Sequence, residues 1–289
     1  MFFYWLLLQA SMPAARVVLS ATFKSPSVTE SSGVVVSRAR ASVLWTHNDS
    51  GDGPYLYATD SAGNDHGAVR VSGAEAIDWE DLASGPCPRG RGPCIYIADT
   101  GDNLERRKSV TLYAVPEPEP PVAAADTQRV TAAASVVSLR YPDGAHDVEA
   151  IYVSPRDSAV YLVSKGRGGS VVLYRVARTA WGGGVERVVT AERLQTLPIA
   201  PNRRLGRVVT GAAVRADGAV VAIRTYVEIY FFRPGPDGRL QASRRPGCSI
   251  AGVDQTGEAI AFRDDSTLVL TSEASRIGPG TIRAVRCPC

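Results

Sequence analysis

Along most of this chain, apolar residues come in short runs of five to eight, broken by Gly, Pro, Asn or Asp. "ASVLWTH", "PYLYATD", "CIYIADT", "VTLYAVP", "AVYLVSK", "SVVLYRV", "VVAIRTY", "EIYFFRP" and "STLVLTS" are rich in β-branched and aromatic residues. No window longer than ten residues keeps a helical stripe. Short β-rich runs with turn punctuation predict an all-β chain: a sandwich, a barrel or a propeller.

Internal repetition separates these folds. Five segments share a polar start and a small, apolar continuation: "SSGVVVS" (31–37), "IDWEDLAS" (77–84), "HDVEAIYV" (146–153), "VTGAAVRA" (209–216) and "QTGEAIAF" (255–262). After each, further strands follow, giving about twenty in five groups. The last group lacks one strand, and "RVVLSATF" (16–23) supplies it. The pattern predicts a single β-propeller of four-stranded antiparallel blades, its ring closed by an N-terminal strand that removes an edge. Five blades are expected, or six if the long spacing from Asp78 to Asp147 conceals a weak one. "PEPEPP" (116–121) within that spacing reads as an extended surface connection. A β-sandwich is the alternative, but nothing in a sandwich requires a repeated four-strand unit.

Composition narrows the function classes. The 289 residues carry a net charge of +3, and Arg supplies 29 of the 32 basic residues in scattered pairs. No basic stripe tracks a phosphate backbone, so nucleic-acid binding is not expected. The start, "MFFYWLLLQASMPAARVV", has an apolar run at residues 2–8 and small residues around Ala10 to Ala15. Residues 1–15 resemble a secretory signal or a truncated one, leaving 16–289 as the propeller domain; a buried first strand is the other reading. The run is too short to span a membrane. Of five cysteines, Cys87 and Cys94 bracket a Gly/Pro-rich loop suited to a hairpin disulfide; zinc would need further nearby ligands. Cys248 can pair with Cys287 or Cys289. A secreted, periplasmic or cell-surface monomer is expected.

In a propeller blade the start of the first strand and the end of the second meet at one mouth of the central channel. The first-strand starts carry Asp78, Glu80, Asp147, Glu149 and Glu258. The second-strand ends carry His47, Asn48, Asp49, Asp99, Asp102, Asn103, Lys165, Arg224, Tyr226 and Glu273. So many carboxylates in a partly dry site repel one another unless protonated or neutralised. A hard divalent cation, Ca²⁺, is the expected remedy, held by Asp78, Glu80, Asp99, Asp102, Asn103, Asp147 and Glu149. With only three His, a His-rich transition-metal site is not expected. Lys165, Arg224, Tyr226, Glu273, Asn48 and Asp49 are candidates to hold a small polar or anionic ligand. Strand alternation predicts that Asp78 and Glu80 face the channel while Trp79 and Asp81 face away.

Three functions follow. The first is a binding propeller with a Ca²⁺-type ion. The second is a metal-dependent hydrolase of phosphoesters, esters or lactones, with Glu149, Glu258 or His47 as base. The third is a protein-interaction scaffold. The chain has no P-loop, G-x-S-x-G elbow, G-x-G-x-x-G or H-E-x-x-H.

The stretches "WTHNDSGD", "DWEDLA", "ADTGDN", "YPDGAHDVEA", "VTGA", "RTY" and "GEAIAF", spread over residues 30 to 275, resemble a family of secreted bacterial β-propellers of poorly known function. More distantly the chain is similar to phytase-like, SdiA-regulated and gluconolactonase-like propellers. That resemblance implies a recurring acid around the channel and, in several members, bound Ca²⁺. The full phytase motif set is not reproduced here.

Overall fold

A computed structural model of the protein describes residues 12–121, 129–182 and 184–288. It contains 21 strands in five sheets. The first blade is β2 (Ser31–Val36), β3 (Val43–Asn48), β4 (Tyr55–Asp60) and β5 (Asp65–Arg70). The second is β6 (Trp79–Pro86), β7 (Pro93–Asp99), β8 (Val110–Pro116) and β9 (Ser135–Arg140). The third is β10 (Val148–Val153), β11 (Val160–Ser164), β12 (Val172–Val176) and β14 (Glu192–Thr196). The fourth runs β15 (Val209–Val214), β16 (Val221–Thr225), β17 (Glu228–Pro234) and β18 (Leu240–Ser249). The fifth is β19 (Gly257–Phe262), β20 (Leu268–Ser272) and β21 (Thr281–Arg286), completed by β1 (Arg16–Thr22) antiparallel to β21.

The protein is thus a five-bladed β-propeller with its ring closed by the N-terminal strand; among the described residues the 78–147 spacing holds no sixth blade. It holds instead a long excursion between β8 and β9, part of it outside the described residues. One departure from four-strand blades appears. β13 (Gly184–Thr190), from the third blade's segment, pairs in parallel with β9 and gives the second blade a fifth strand.

Five apolar clusters lie one at each interface between neighbouring blades. Trp45 and Leu56 of the first blade meet Leu82 and Ile95 of the second. Val34 and Leu44 of the first meet Ala259 and Val269 of the fifth, which closes the circle. Because each blade is covered on both faces, strands such as β11 are buried at every position. That is why the sequence shows continuous apolar runs rather than strict alternation.

The inner strands share a defect. In every blade the register between the first and second strands slips at the same level: Ser31/Val34, Trp79/Asp81, Val148/Ala150, Val209/Gly211 and Gly257/Ile260. Such β-bulges re-aim side chains. Here they sit at one mouth of the channel.

Two disulfides fasten the structure. Cys87–Cys94 closes the β6–β7 hairpin, and Cys248–Cys287 ties the fourth blade to the fifth. Cys289 and residues 1–11 lie outside the described residues, so the signal segment is only touched at its end. There Ser249 N donates to Pro13 O and Ala15 N to Ser249 O. Among the described residues no helix is long and apolar enough to cross a membrane.

Candidate functional site

One position after each inner-strand start, the five blades place Ser32, Glu80, Glu149, Thr210 and Glu258 around the channel, all at most 7% exposed. Ser32 and Thr210 turn their hydroxyls onto the neighbouring blade, donating to Glu80 O (2.6 Å) and Glu258 O (2.9 Å). The three glutamates remain. Lys165, from the end of β11, brings its Nζ to 2.5 Å from Glu149 Oε1. Burial works against its charge, but Glu149, Glu80 and Glu258 outweigh that and hold its pKa above the ordinary lysine value. Tyr226 donates its hydroxyl to Glu258 Oε1 at 2.9 Å; Glu258 Oε2 has no partner among the described residues.

Outside this ring lies a bracket of acids that already has its cations. Asp99 receives Arg107 Nη2 at 2.8 Å, and the same guanidinium donates to Gly101 O. Arg167 clamps Asp147 and Asn103 together. Asp102 accepts from Arg107 N (2.6 Å) and donates its own N–H to Asp147 Oδ1 (2.9 Å). Arg107 and Arg167 were invisible as partners in the sequence. They stand eight residues after Asp99 and twenty after Asp147, and only the loop conformations bring them back.

Asp49, Asp78 and Glu80 make no ion pair with a basic side chain among the described residues. One oxygen from each of the three lies within 4.8 Å of the others, and Glu80, Asp147 and Glu149 form a second such group. Burial, then the charges of Asp49 and Asp147, raises Asp78 to about 6. Burial, then Glu149 and Asp49, holds Glu80 well above the ordinary range. Glu273, at the rim, is pushed up to about 7 by burial, Glu258 and Asp49. The Gly101 backbone passes directly over the group: a Cβ there would lie 2.1 Å from Glu80 Oε1 and 2.5 Å from Asp78 Oδ2. Glycine at 101 is what lets the chain approach these carboxylates so closely.

With this geometry in view, the likeness to known proteins is one of fold. No protein-family model and no curated protein matches the chain. The PQQ-bound aldose sugar dehydrogenase of Streptomyces coelicolor superimposes with a TM-score of 0.51 at 11% identity, over 96% of this chain and 99% of that one. An auxiliary nutrient binding protein of Bacteroides thetaiotaomicron aligns at TM-score 0.47 and 9% identity, over 93% of this chain and 60% of its own, too distant to add to the comparison. The likeness is to a propeller scaffold.

Several sequence expectations need correction. His47 does not reach the mouth. It is fully buried, edge-on to Trp79 with ring centroids 5.6 Å apart, and bonded through Nδ1 to Asn48 O. Burial lowers its pKa to about 4. The strand alternation of β3 sends it into the seam between two blades, against Trp79. Asn48 is likewise spent, accepting from Thr29 N and Glu30 N and donating to Ser27 O and Asp52. Arg224 is fully buried, forked onto Asp254 at 2.7 and 2.9 Å and donating to Ala259 O and Thr271 O. It holds the fourth blade to the fifth and presents nothing to a ligand.

Asp81 also departs from simple alternation. The bulge at Trp79/Asp81 turns it into the channel, where it is fully buried. There Oδ2 accepts from Ile151 N (2.9 Å) and Ala212 N (3.2 Å), on the third and fourth blades, while Oδ1 accepts from Leu82 N. Where the other blades have Gly33, Ala150, Gly211 and Ala259, this one carboxylate fills the axis.

Proposed function

We propose that the acidic mouth binds a divalent cation, Ca²⁺, through Asp49, Asp78 and Glu80, and that a small polar or anionic ligand meets it beside Lys165, Tyr226 and Glu273. The observation that carries the reading is the contrast in neutralisation. Asp99, Asp147 and Glu149 each have a resident Arg or Lys, whereas the Asp49–Asp78–Glu80 group has none among the described residues. Its donors are all oxygen, the set a hard cation takes. With Ca–O distances of about 2.3–2.6 Å, two oxygens on one ion stand up to about 5 Å apart, the span of this group. The second group fits less well, because the Lys165 ammonium already sits on Glu149.

An ion at this place supplies positive charge that draws in and orients a hydroxylated or anionic group. The chain's own residues do the rest: Lys165 offers the ammonium hydrogens that Glu149 leaves free, and the Tyr226 hydroxyl, its hydrogen given to Glu258, offers its oxygen as an acceptor. Pyrroloquinoline quinone, the cofactor of the Streptomyces enzyme, does not fit: it is a tricarboxylate, and this mouth has more acids than bases. The disulfides and the resemblance of the acidic stretches to secreted propellers support an extracytoplasmic location.

A second reading, a metal-dependent hydrolase at the same mouth, is favoured by Glu258. Its Oε2 has no partner among the described residues, and burial raises its pKa above the ordinary carboxylate value, so the carboxylate holds a proton more readily than a solvated one.

Calorimetric titration and thermal melting with Ca²⁺ or EDTA test the proposal. At 100 times Kd, an ion binding only the folded chain adds about 2.7 kcal/mol, several degrees in a protein of this size. Asp78→Asn and Gly101→Ala are expected to abolish or sharply weaken that shift. No Ca²⁺-dependent shift in the unmodified protein would sink the metal claim. Turnover in a phosphoester and lactone screen, lost in Glu258→Gln, would select the hydrolase.

A further inference from the structure

The far end of the channel is built differently from the acidic mouth. Residues three to five positions beyond the mouth-end start of all five inner strands surround a cavity of about 300 Å³, at the small end of ligand pockets. Val34, Val36, Leu82, Val153, Val214 and Phe262 give it an apolar body. Asp81 separates it from the mouth, since its carboxylate spans the axis between Leu82, Ile151 and Ala212.

Two features set the ligand's polar group. First, the inner edges of these strands have no neighbour to pair with, and Asp81 shows what they capture: the N–H groups of Ile151 and Ala212, on different blades, converge on one carboxylate. By antiparallel alternation the N–H groups of Val153 and Val214, two residues further on, point the same way into the cavity. Second, Arg38, Arg215 and Arg263 stand at the opening. Arg38 donates through Nε to Ser84 Oγ at 2.9 Å, and among the described residues neither it nor Arg263 pairs with a carboxylate side chain through its guanidinium. Arg215 is taken by Asp217. Of the acids near the rim, Asp264 is occupied by Ser266 and Thr267, Asp265 is 90% exposed and lies 4.0 Å from Arg215, and Glu117 accepts the Arg38 backbone N–H at 3.1 and 3.2 Å.

We propose that this cavity is a second binding site, for a small carboxylate with an apolar body. The body fills the space between the inner strands. The carboxylate is held at the opening by Arg38 and Arg263 and by the unpaired edge amides. The site is independent of the acidic mouth.

Octanoate is the probe, followed by isothermal titration and by saturation-transfer NMR, with octylamine as the charge-reversed control. Octanoate is expected to bind and octylamine to bind at least about tenfold more weakly, one charge-assisted contact being a factor of that order. Arg38→Gln with Arg263→Gln should weaken octanoate by about the same factor. Ala216→Trp, in an exposed turn at the opening, should block it without touching the core. Asp78→Asn should leave octanoate binding unchanged, which keeps this result separate from that for the metal. Absence of octanoate binding, equal binding of octylamine, or unchanged binding in the double-arginine and Ala216→Trp variants would overturn the proposal.

Discussion

Replacing Arg224 by Met should cost stability rather than ligand affinity, and the amount can be worked from its contacts. The guanidinium donates to Ala259 O at 2.6 Å and Thr271 O at 3.1 Å, and forks onto both oxygens of Asp254, with both side chains fully buried. Gly257 lies so close beneath the pair that a Cβ there would sit 1.6 Å from Arg224 Nη2. Methionine has similar length but strands the Asp254 carboxylate and leaves the carbonyls of Ala259 on the inner strand and Thr271 on the second strand without this donor. Removing one partner of a buried pair costs about 3–5 kcal/mol, so a loss of about 4 kcal/mol is expected. Removing the stranded charge as well, in Arg224→Met/Asp254→Asn, should recover about 2 kcal/mol or more, a coupling typical of residues in one network. Urea unfolding followed by tryptophan fluorescence measures all three variants, with equal slopes required for the comparison. A single-variant loss below about 1 kcal/mol, or additive effects in the double variant, would refute the buried-clamp reasoning and return Arg224 to the mouth.

The remaining predictions concern charge. Asp78, raised to about 6, and Glu273, raised to about 7, bind protons in the folded protein that the unfolded chain has released. Stability from these groups is therefore present at low pH and lost as pH rises through those values, so the metal-free melting temperature should fall between pH 5 and 8. Both groups are half-buried, so the combined effect is roughly 2–3 kcal/mol rather than the full shift; Ca²⁺ should bind more tightly as pH rises, reversing the slope. A metal-free melting temperature that is flat or rising across that range would contradict the assignment. In Asp81→Ala, three buried N–H groups lose their acceptor at about 1–3 kcal/mol each, offset by the removal of a buried charge whose pKa burial holds well above the ordinary range. A net loss of roughly 2–4 kcal/mol in urea unfolding is expected, with Asp81→Asn milder because one acceptor oxygen survives.

The blades were readable because the inner and middle strands are buried on both faces, so apolar runs and turn residues mark them directly, whereas outer strands such as β1 and β14 are largely exposed. The recurring acid at the inner-strand starts was readable for the same reason: Glu80, Glu149 and Glu258 interrupt runs that are otherwise apolar. What escaped was set by single-residue offsets and by partners distant in sequence. A bulge leaves no compositional trace, yet it reverses which way Asp81 points. Arg224 sits at a second-strand end like Lys165, and nothing local tells a clamp from a mouth residue; the difference lies in Asp254, thirty residues on. β13 crosses to the edge of the second blade, a pairing between segments about fifty residues apart that leaves no mark in the local pattern.

The way the mouth is neutralised also explains why stability is the right measure of its chemistry. Lys165 serves the inner glutamates, and Arg107 and Arg167 serve the bracket formed by Asp99, Asp102, Asn103 and Asp147. Of these cations only Arg167 ties the second blade to the third among the described residues, through Asn103 and Asp147; Arg107 and Lys165 pair within their own blades. Asp49 comes from the first blade, whereas Asp78 and Glu80 come from the second, so the unneutralised group lies across a seam that, at this mouth, no basic side chain among the described residues bridges. The divalent ion proposed for this group would join two blades as well as cancel repulsion. Its carboxylates converge only when the ring is closed, so the unfolded chain offers no such site and the ion's binding energy is folding energy. The same reasoning ranks the two acidic groups: where Lys165 already occupies Glu149, an added ion must displace an ammonium, and where Asp49 faces Asp78 it displaces only protons.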